Sequence, residues 1–85
     1  MNQQAREVHE LDCYDRWYRA LARGEKTAEV RRLTRDYQRG DVLAIRNHDD
    51  PAAPALLFEV THVLTGTGDY GLLPGFAVLS LRRIG

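Results

Sequence analysis

The chain has 85 residues, of which 44% are hydrophobic and 28% are charged, and its formal net charge at pH 7 is zero. This length allows one small domain over residues 1–85, and the hydrophobic content excludes a largely disordered chain. A net charge of zero also excludes a polyanion binder that is basic over its whole surface.

The first third of the chain predicts a strand followed by a helix. Residues 1–5 are polar and are expected to be disordered, and residues 6–11 predict a short strand. Residues spaced three and four apart indicate one helix face: Tyr14, Trp17, Tyr18 and Leu21. We expect this aromatic face to be core rather than a base-stacking platform, because helical spacing alone explains it. Asp12 is the predicted N-cap, and Gly24 is the predicted left-handed ending.

The rest of the chain predicts strands joined by short connections. Residues 26–32 predict the second strand, on which Thr27, Glu29 and Arg31 share one side. The remaining predicted strands are residues 42–47, 56–64 and 76–83. Alternation along the longest of them places five residues on one face: Leu56, Phe58, Val60, His62 and Leu64.

The predicted order is one strand, one helix and then four strands. A single crossover helix cannot build a doubly wound parallel sheet. A small, strongly bent sheet is the simplest way to bury such strands. The sequence therefore predicts an α+β fold, namely a small, partly closed β-barrel of about five strands with one main α-helix.

Positive charge is concentrated in the middle of the chain, where residues 16–39 carry eight basic and three acidic side chains. On the second predicted strand, Glu29 and Arg31 lie about 6.6–6.8 Å apart on one face, and Lys26 enters from the turn after Gly24. The two cations are suited to clamp a phosphate or a carbonyl oxygen. Glu29 could accept the amino protons of a base, hold the two cations in place, or act as a general base. A solvated strand face with alternating charges is the simpler alternative.

The histidines and the cysteine form no recognisable metal motif. His9, His48, His62 and Cys13 lack the paired spacing of zinc ligands, so we predict no metal and no other cofactor. Cys13 is expected to be a buried structural thiol. A single cysteine cannot form an internal disulfide, which favours a reducing compartment. Because no signal peptide or membrane span is predicted, we expect a cytoplasmic protein without a membrane partner.

Four sequence blocks occur in the order typical of a known family. They are His9-Glu10-Leu11, Gly24-x-Lys26-Thr27-x-Glu29-Val30-Arg31-Arg32, Arg35-Asp36-Tyr37-Gln38-x-Gly40-Asp41-Val42-Leu43 and Gly75-Phe76-x-Val78-Leu79-Ser80-Leu81-Arg82. Over residues 9–83 this order resembles the DUF3850 branch of the ASCH/PUA-like superfamily. The resemblance implies a PUA-like barrel and RNA binding, with a G-x-K-x-x-E-x-R signature lining a cleft beside the helix.

The resemblance also selects the candidate ligand-binding residues. The signature segment contributes Gly24, Lys26, Thr27, Glu29 and Arg31. The neighbouring blocks contribute His9, Arg35, Asp36 and Gln38, of which the last three are expected to border the same cleft. Similar bacterial amidohydrolases place a threonine nucleophile at the position of Glu29, so their activity does not transfer to this chain.

We therefore expect an RNA- or nucleotide-binding module that uses this cleft. The alternative is a hydrolase acting on RNA or a modified nucleoside, with Lys26 or Glu29 as the catalytic proton-transfer group. A third possibility is a protein-interaction domain, such as a homodimer formed through an exposed strand edge or through Leu72 and Leu73.

Overall fold

Within the described residues, 6–85, one five-stranded sheet and one α-helix make up the fold of this computed structural model. In chain order the elements are β1 (Val8–Cys13), α1 (Asp15–Ala22), β2 (Ala28–Arg32), β3 (Val42–Asn47), β4 (Leu56–Thr65), a 3₁₀ turn (Asp69–Gly71) and β5 (Phe76–Arg83). The predicted order of strand, helix and four strands is confirmed. The predicted disorder of residues 1–5 lies outside the described residues.

The strands lie in the order β1-β3-β4-β5-β2, so β1 and β2 are the two edges of the sheet. β1 runs parallel to β3, with Val8 opposite Val42 and Cys13 opposite Asn47. The other neighbouring pairs are antiparallel. The sheet forms a half-barrel with one helix, which confirms an α+β fold with a partly closed barrel.

The strands β3 and β5 have the predicted bounds, whereas β1 and β2 begin two residues later than predicted. β1 is shifted because its parallel pairing with β3 starts at Val8 opposite Val42 and continues to Cys13. β2 starts late because the Lys26 amide still belongs to the end of the helix, where it donates to the Ala20 carbonyl at 3.1 Å.

The strand β4 contains a bulge that the alternation did not predict. Its register with β5 shifts between Val60 and His62. A bulge adds one residue to one strand, so the side chains beyond it exchange faces. Leu56, Phe58 and Val60 are buried as predicted, whereas His62 and Leu64 are exposed. The predicted shared face is therefore wrong beyond Val60.

The helix α1 buries only part of its aromatic face. Tyr18 and Leu21 are buried in the core, and the Tyr18 hydroxyl donates to the Pro54 carbonyl at 2.5 Å. Tyr14 and Trp17 remain 61% and 42% exposed, so the prediction that they belong to the core is wrong. Tyr14 is the N-cap and has an extended backbone, so helical periodicity does not direct its side chain. Trp17 faces the open side of the half-barrel.

The helix start is fixed by the loop after β3. The prediction of Asp12 as N-cap is wrong, because Asp12 lies inside β1. Instead, the Asp15 amide donates to the Asp49 carboxylate at 2.8 Å, and the Asn47 side chain donates to the Asp15 carboxylate at 2.8 Å. The predicted helix ending is confirmed, since Gly24 has a φ of +76°, a conformation that favours glycine.

The core draws on every strand except β2, on the helix and on one connection. Its buried members are Leu11, Tyr18, Leu21, Tyr37, Leu43, Ile45, Leu56, Phe58, Val60, Ala77, Leu79 and Leu81. Tyr37 comes from the polar connection between β2 and β3, which is therefore anchored to the core. The helix α1 has only eight residues, and no helix in the described part of the chain is long and apolar enough to cross a membrane.

Candidate functional site

A cleft of about 690 Å³ opens between the two edge strands of the half-barrel, beside the helix. Its polar and aromatic lining consists of Asp12, Cys13, Tyr14, Trp17, Lys26, Glu29, Arg31 and His48. The Arg31 guanidinium spans the two edges, since its Nη2 donates to the Asp12 carbonyl oxygen at 2.8 Å. The structure thus brings Lys26, Glu29 and Arg31 together in one hollow.

Glu29 is the buried centre of this group, with only 6% of its side chain exposed. Its Oε1 accepts a hydrogen bond from the Lys26 ammonium. Its Oε2 accepts from Arg31 Nε at 3.0 Å and from Nη2 at 2.9 Å, because strand alternation places both residues on one side of β2. A buried carboxylate is costly unless it is paired. Glu29 therefore has both oxygens occupied and fixes the positions of the two cations.

The two cations have donors to spare. An ammonium carries three N–H donors, and Lys26 uses one on Glu29 and one on the Ala28 carbonyl oxygen at 2.5 Å. A guanidinium carries five, and Arg31 uses three of them, on Glu29 and on the Asp12 carbonyl. One Lys26 donor and the two donors of Arg31 Nη1 have no acceptor within residues 6–85. The cleft can therefore bind a group rich in hydrogen-bond acceptors, such as a phosphate or a carbonyl.

Cys13 is half-buried at the end of β1 and also lines the cleft. Burial, and to a lesser extent the Glu29 carboxylate, raise the pKa of its thiol from 9.0 to about 11, against the opposing effect of Arg31 and Lys26. The thiolate is the nucleophilic form of cysteine. The raised pKa disfavours the thiolate at neutral pH, so the surroundings of Cys13 do not activate it as a nucleophile.

The opposite side of the cleft combines an acid, an imidazole and two aromatic rings. His48 Nδ1 lies 3.3 Å from an Asp12 carboxylate oxygen, and both side chains are exposed. The Tyr14 and His48 rings meet edge to face, with centroids 5.5 Å apart and planes at 88°. The Arg16 guanidinium lies 4.5 Å from the centroid of the Trp17 ring. These contacts hold both aromatic side chains at the rim.

Sequence reasoning missed this side of the cleft. β1 pairs in parallel with β3, with Asp12 opposite Arg46 and Cys13 opposite Asn47. Because His48 follows Asn47 in the chain, it lies at the same end of β1 as Asp12. No local pattern encodes that long-range pairing. The aromatic residues did give a signal, but their helical spacing was interpreted as core.

Four predicted site residues lie outside the cleft, in a separate hollow of about 1130 Å³: His9, Arg35, Asp36 and Gln38. The expectation that the last three border the same cleft is therefore wrong. The reason is the parallel register, because the connection before β3 reaches the sheet at Val42, opposite Val8. The cleft lies at the other end of β1, at Cys13.

His9 is buried in that hollow by a pairing that fixes the backbone. Its Nε2 lies 2.8 Å from an Asp41 carboxylate oxygen. Asp41 also accepts the amides of Gln38 at 2.9 Å and Glu7 at 3.3 Å. Burial raises the pKa of Asp41, but the hydrogen bonds from His9 and the two amides outweigh it, so the pKa lies below its usual value. The His9 ring also lies 4.7 Å from that of Tyr37, which ties the connection before β3 to β1.

Gly24 and Thr27 do not line the cleft but shape the turn that delivers Lys26 to it. Gly24 ends the helix with its positive φ. The Thr27 carbonyl accepts the Leu81 amide at 2.9 Å, which attaches the turn to β5. Gly24 and Thr27 therefore position Lys26 through their backbone atoms.

The cleft combines charged and aromatic side chains. No group of three or more His, Cys, Asp and Glu side chains in the described part of the chain is placed to hold a metal ion. The chemistry that the cleft offers is a pair of oriented cations, two exposed aromatic rings and one exposed acid–imidazole pair. This set is suited to binding an anionic or carbonyl-bearing aromatic group.

Fold and site together define a small α+β half-barrel domain with an ion-paired cleft at its open edge. Comparison with protein families identifies the chain further. The model of DUF3850, described as a domain of unknown function, matches residues 8–81, so the chain belongs to that family. A search of curated proteins found no match.

Proposed function

We propose that the cleft binds RNA or a nucleotide through phosphate or base carbonyl oxygens. The observation that carries this proposal is the buried Glu29, which orients Lys26 and Arg31 and leaves three N–H donors without a protein acceptor in residues 6–85. Charge-assisted hydrogen bonds of this kind are the strong ones in anion recognition. Lysine and arginine supply a point charge and a planar fork, which suit the oxygens of one phosphate.

Glu29 positions the cations in this proposal and does not read a base. Of the roles open to it, accepting a base amino group requires a free oxygen lone pair in the right direction. Its oxygens already accept three hydrogen bonds from Lys26 and Arg31, and only 6% of the side chain is exposed, so the remaining lone pair is shielded from a ligand. The positioning role is therefore the one that the hydrogen bonds support.

We further propose that the family belongs to the ASCH/PUA-like superfamily and that the protein acts in the cytoplasm. The half-barrel with one helix and the cleft beside it agree with the first proposal. The single cysteine, Cys13, agrees with a reducing compartment. In a longer RNA, the exposed Arg35, Asp36 and Gln38 of the second hollow supply a separate contact region, whereas the buried His9 holds the backbone there.

A salt series on a fluorescently labelled single-stranded RNA tests the proposal. An electrostatic binder weakens as salt rises, with a slope of about −0.7 per phosphate contacted. We expect Lys26→Ala to weaken binding and to reduce the slope by about 0.7. Arg82→Ala is the matched control, because it removes one positive charge from an exposed pair with Glu59 outside the cleft. Affinity that ignores salt and is unchanged in Lys26→Ala would refute the proposal.

The hydrolase and the protein-interaction domain stay predictions that no contact in the cleft favours. A hydrolase would turn over RNA or a modified nucleoside, and turnover would vanish in both Lys26→Ala and Glu29→Ala. A homodimer would show a concentration-dependent mass in light scattering. Binding without turnover by a monomer would leave the binding module as the only supported function.

A further inference from the structure

The two aromatic residues at the cleft are exposed although each is large enough to add substantially to a small core. Tyr14 immediately precedes α1 and Trp17 lies in its first turn, and both line the cleft that contains Lys26 and Arg31. Exposed apolar surface that is concentrated in a concave, polar-rimmed site marks a binding surface. The spare cationic donors and the exposed rings therefore face one ligand space.

Each of the two rings also packs against a neighbouring side chain. His48 packs edge-on against Tyr14, and Arg16 covers the Trp17 ring at 4.5 Å from its centroid. The Trp17 amide donates to the Tyr14 carbonyl at 3.0 Å, which fixes the backbone between the two. Rings that are already ordered lose little conformational entropy on binding. They form a stacking wall, defined here as Tyr14 and Trp17.

We propose that the ligand enters the cleft as an unpaired nucleotide, whose base stacks on the stacking wall while its phosphate or carbonyl oxygens meet Lys26 and Arg31. This inference rests on the proposed function and specifies its ligand. Each base in a duplex is already stacked on its neighbours, so its faces cannot reach a side-chain ring. The cleft volume of about 690 Å³ lies in the range of small-molecule sites. Every base has an aromatic face, so stacking alone tolerates any base.

Trp17 is the single tryptophan of the chain, so intrinsic fluorescence reports on the cleft directly. The experiment compares a single-stranded RNA, an abasic strand of the same length and charge, and a duplex. We expect the single strand to quench Trp17 and to bind tighter than the abasic strand by about 5- to 160-fold for one stacked base. The duplex is expected to behave like the abasic strand. A nucleoside monophosphate in a fourth arm distinguishes a free nucleotide from an RNA chain as the source of the base.

Variants separate stacking from charge. Trp17→Ala is expected to abolish the preference for the base-containing strand while it keeps the salt slope, whereas Trp17→Phe keeps most of the preference, measured by anisotropy of the labelled strand. Circular dichroism checks that both variants fold. Tyr70→Ala is the control, because Tyr70 is fully exposed on the 3₁₀ turn and does not line the cleft.

The outcomes distinguish this inference from the proposed function. Equal, salt-dependent binding of the base-containing and abasic strands, with no change in Trp17 fluorescence, would overturn stacking and leave the cation clamp in place. Absence of binding by both strands would overturn the clamp and the stacking together. Equal binding of single strand and duplex, with quenching by both, would overturn the requirement for an unpaired base.

Discussion

Glu29 and Asp41 are both buried carboxylates, but different kinds of partner neutralise them. Glu29 is paired with Lys26 and Arg31, whose side chains are 26% and 22% exposed and keep donors that no residue of the described chain accepts. Asp41 is paired with the buried His9 ring and with backbone amides. The partners of Glu29 present positive charge to the cleft. The partners of Asp41 join the connection before β3 to β1. The partners of Glu29 thus reach solvent with donors left over, whereas those of Asp41 do not.

The largest expected effect comes from removing both partners of Glu29. The double variant Lys26→Ala/Arg31→Ala leaves its carboxylate buried and unpaired, which typically costs about 3–5 kcal/mol. Adding Glu29→Gln should restore part of this loss, because a neutral amide is cheaper to bury than a carboxylate. Urea denaturation at neutral pH measures the free energy of unfolding.

The control for that experiment is Arg23→Ala/Arg82→Ala, which removes two positive charges from exposed pairs. Exposed ion pairs contribute little to stability. A double variant at Lys26 and Arg31 that is as stable as this control would show that Glu29 does not depend on its partners.

A smaller effect is expected for Asp41→Asn. The substitution removes a charged acceptor from hydrogen bonds with His9 and two amides, and bonds to charged groups contribute about 1.5–3 kcal/mol each before compensation. Because the asparagine side chain keeps one oxygen, we expect a loss of about 1–3 kcal/mol at pH 7. His9→Phe is the companion variant, since it removes one of the three donors and leaves the amides.

The direction of the Asp41 pKa shift predicts how the stability loss in Asp41→Asn changes with pH. The pKa of Asp41 in the folded protein lies below the ordinary value of 3.8. The Asp41 carboxylate therefore makes its full contribution to the free energy of unfolding above the pKa of about 3.9 that it has in the unfolded chain. This contribution is lost as the pH falls through the lower pKa that it has in the folded protein. The stability difference between wild type and Asp41→Asn should narrow below about pH 3.9. Denaturation curves at pH 7, 4 and 3 check this, and a difference that widens on acidification would contradict it.

The smallest expected effect is a lowered rate of alkylation at Cys13. With its thiol pKa at about 11, against an ordinary 9.0, the folded protein should react slowly with iodoacetamide at pH 8 and faster as the pH approaches 11. The urea-unfolded chain provides the reference rate for an ordinary thiol. Mass spectrometry follows the reaction, because Cys13 is the single cysteine. Equal rates for the folded and unfolded chains at pH 8 would contradict the raised pKa.

Local patterns predicted the strands best where a short apolar run is bounded by turn residues. The bounds of β3 and β5 follow from apolar runs that lie between polar or glycine-containing turns. The bulge at Val60 and His62 was not predictable, because it depends on the register that β5 imposes on β4. Tyr14 was misassigned for a related reason, since a residue at the N-cap lies outside the helical repeat.

The candidate site was predictable only in its β2 half. Glu29 and Arg31 share a side of one strand, so sequence spacing alone places them together. Asp12 and His48 join them through the parallel pairing of β1 with β3, which is a contact between distant parts of the chain. The same pairing moved Arg35 to a separate hollow. Long-range register therefore decides which of the predicted residues meet.

The hydrogen bond from Arg31 to the Asp12 carbonyl joins the two edge strands, β2 and β1, which are not paired through their backbones. The Arg31 side chain thus connects the two edges of the half-barrel and also lines the cleft. An anion bound to the free Nη1 donors would share this guanidinium with the Nη2 hydrogen bond that holds the two edges together. We therefore expect anion binding at Arg31 to change the gap between β1 and β2, and amide exchange near Cys13 measures that change.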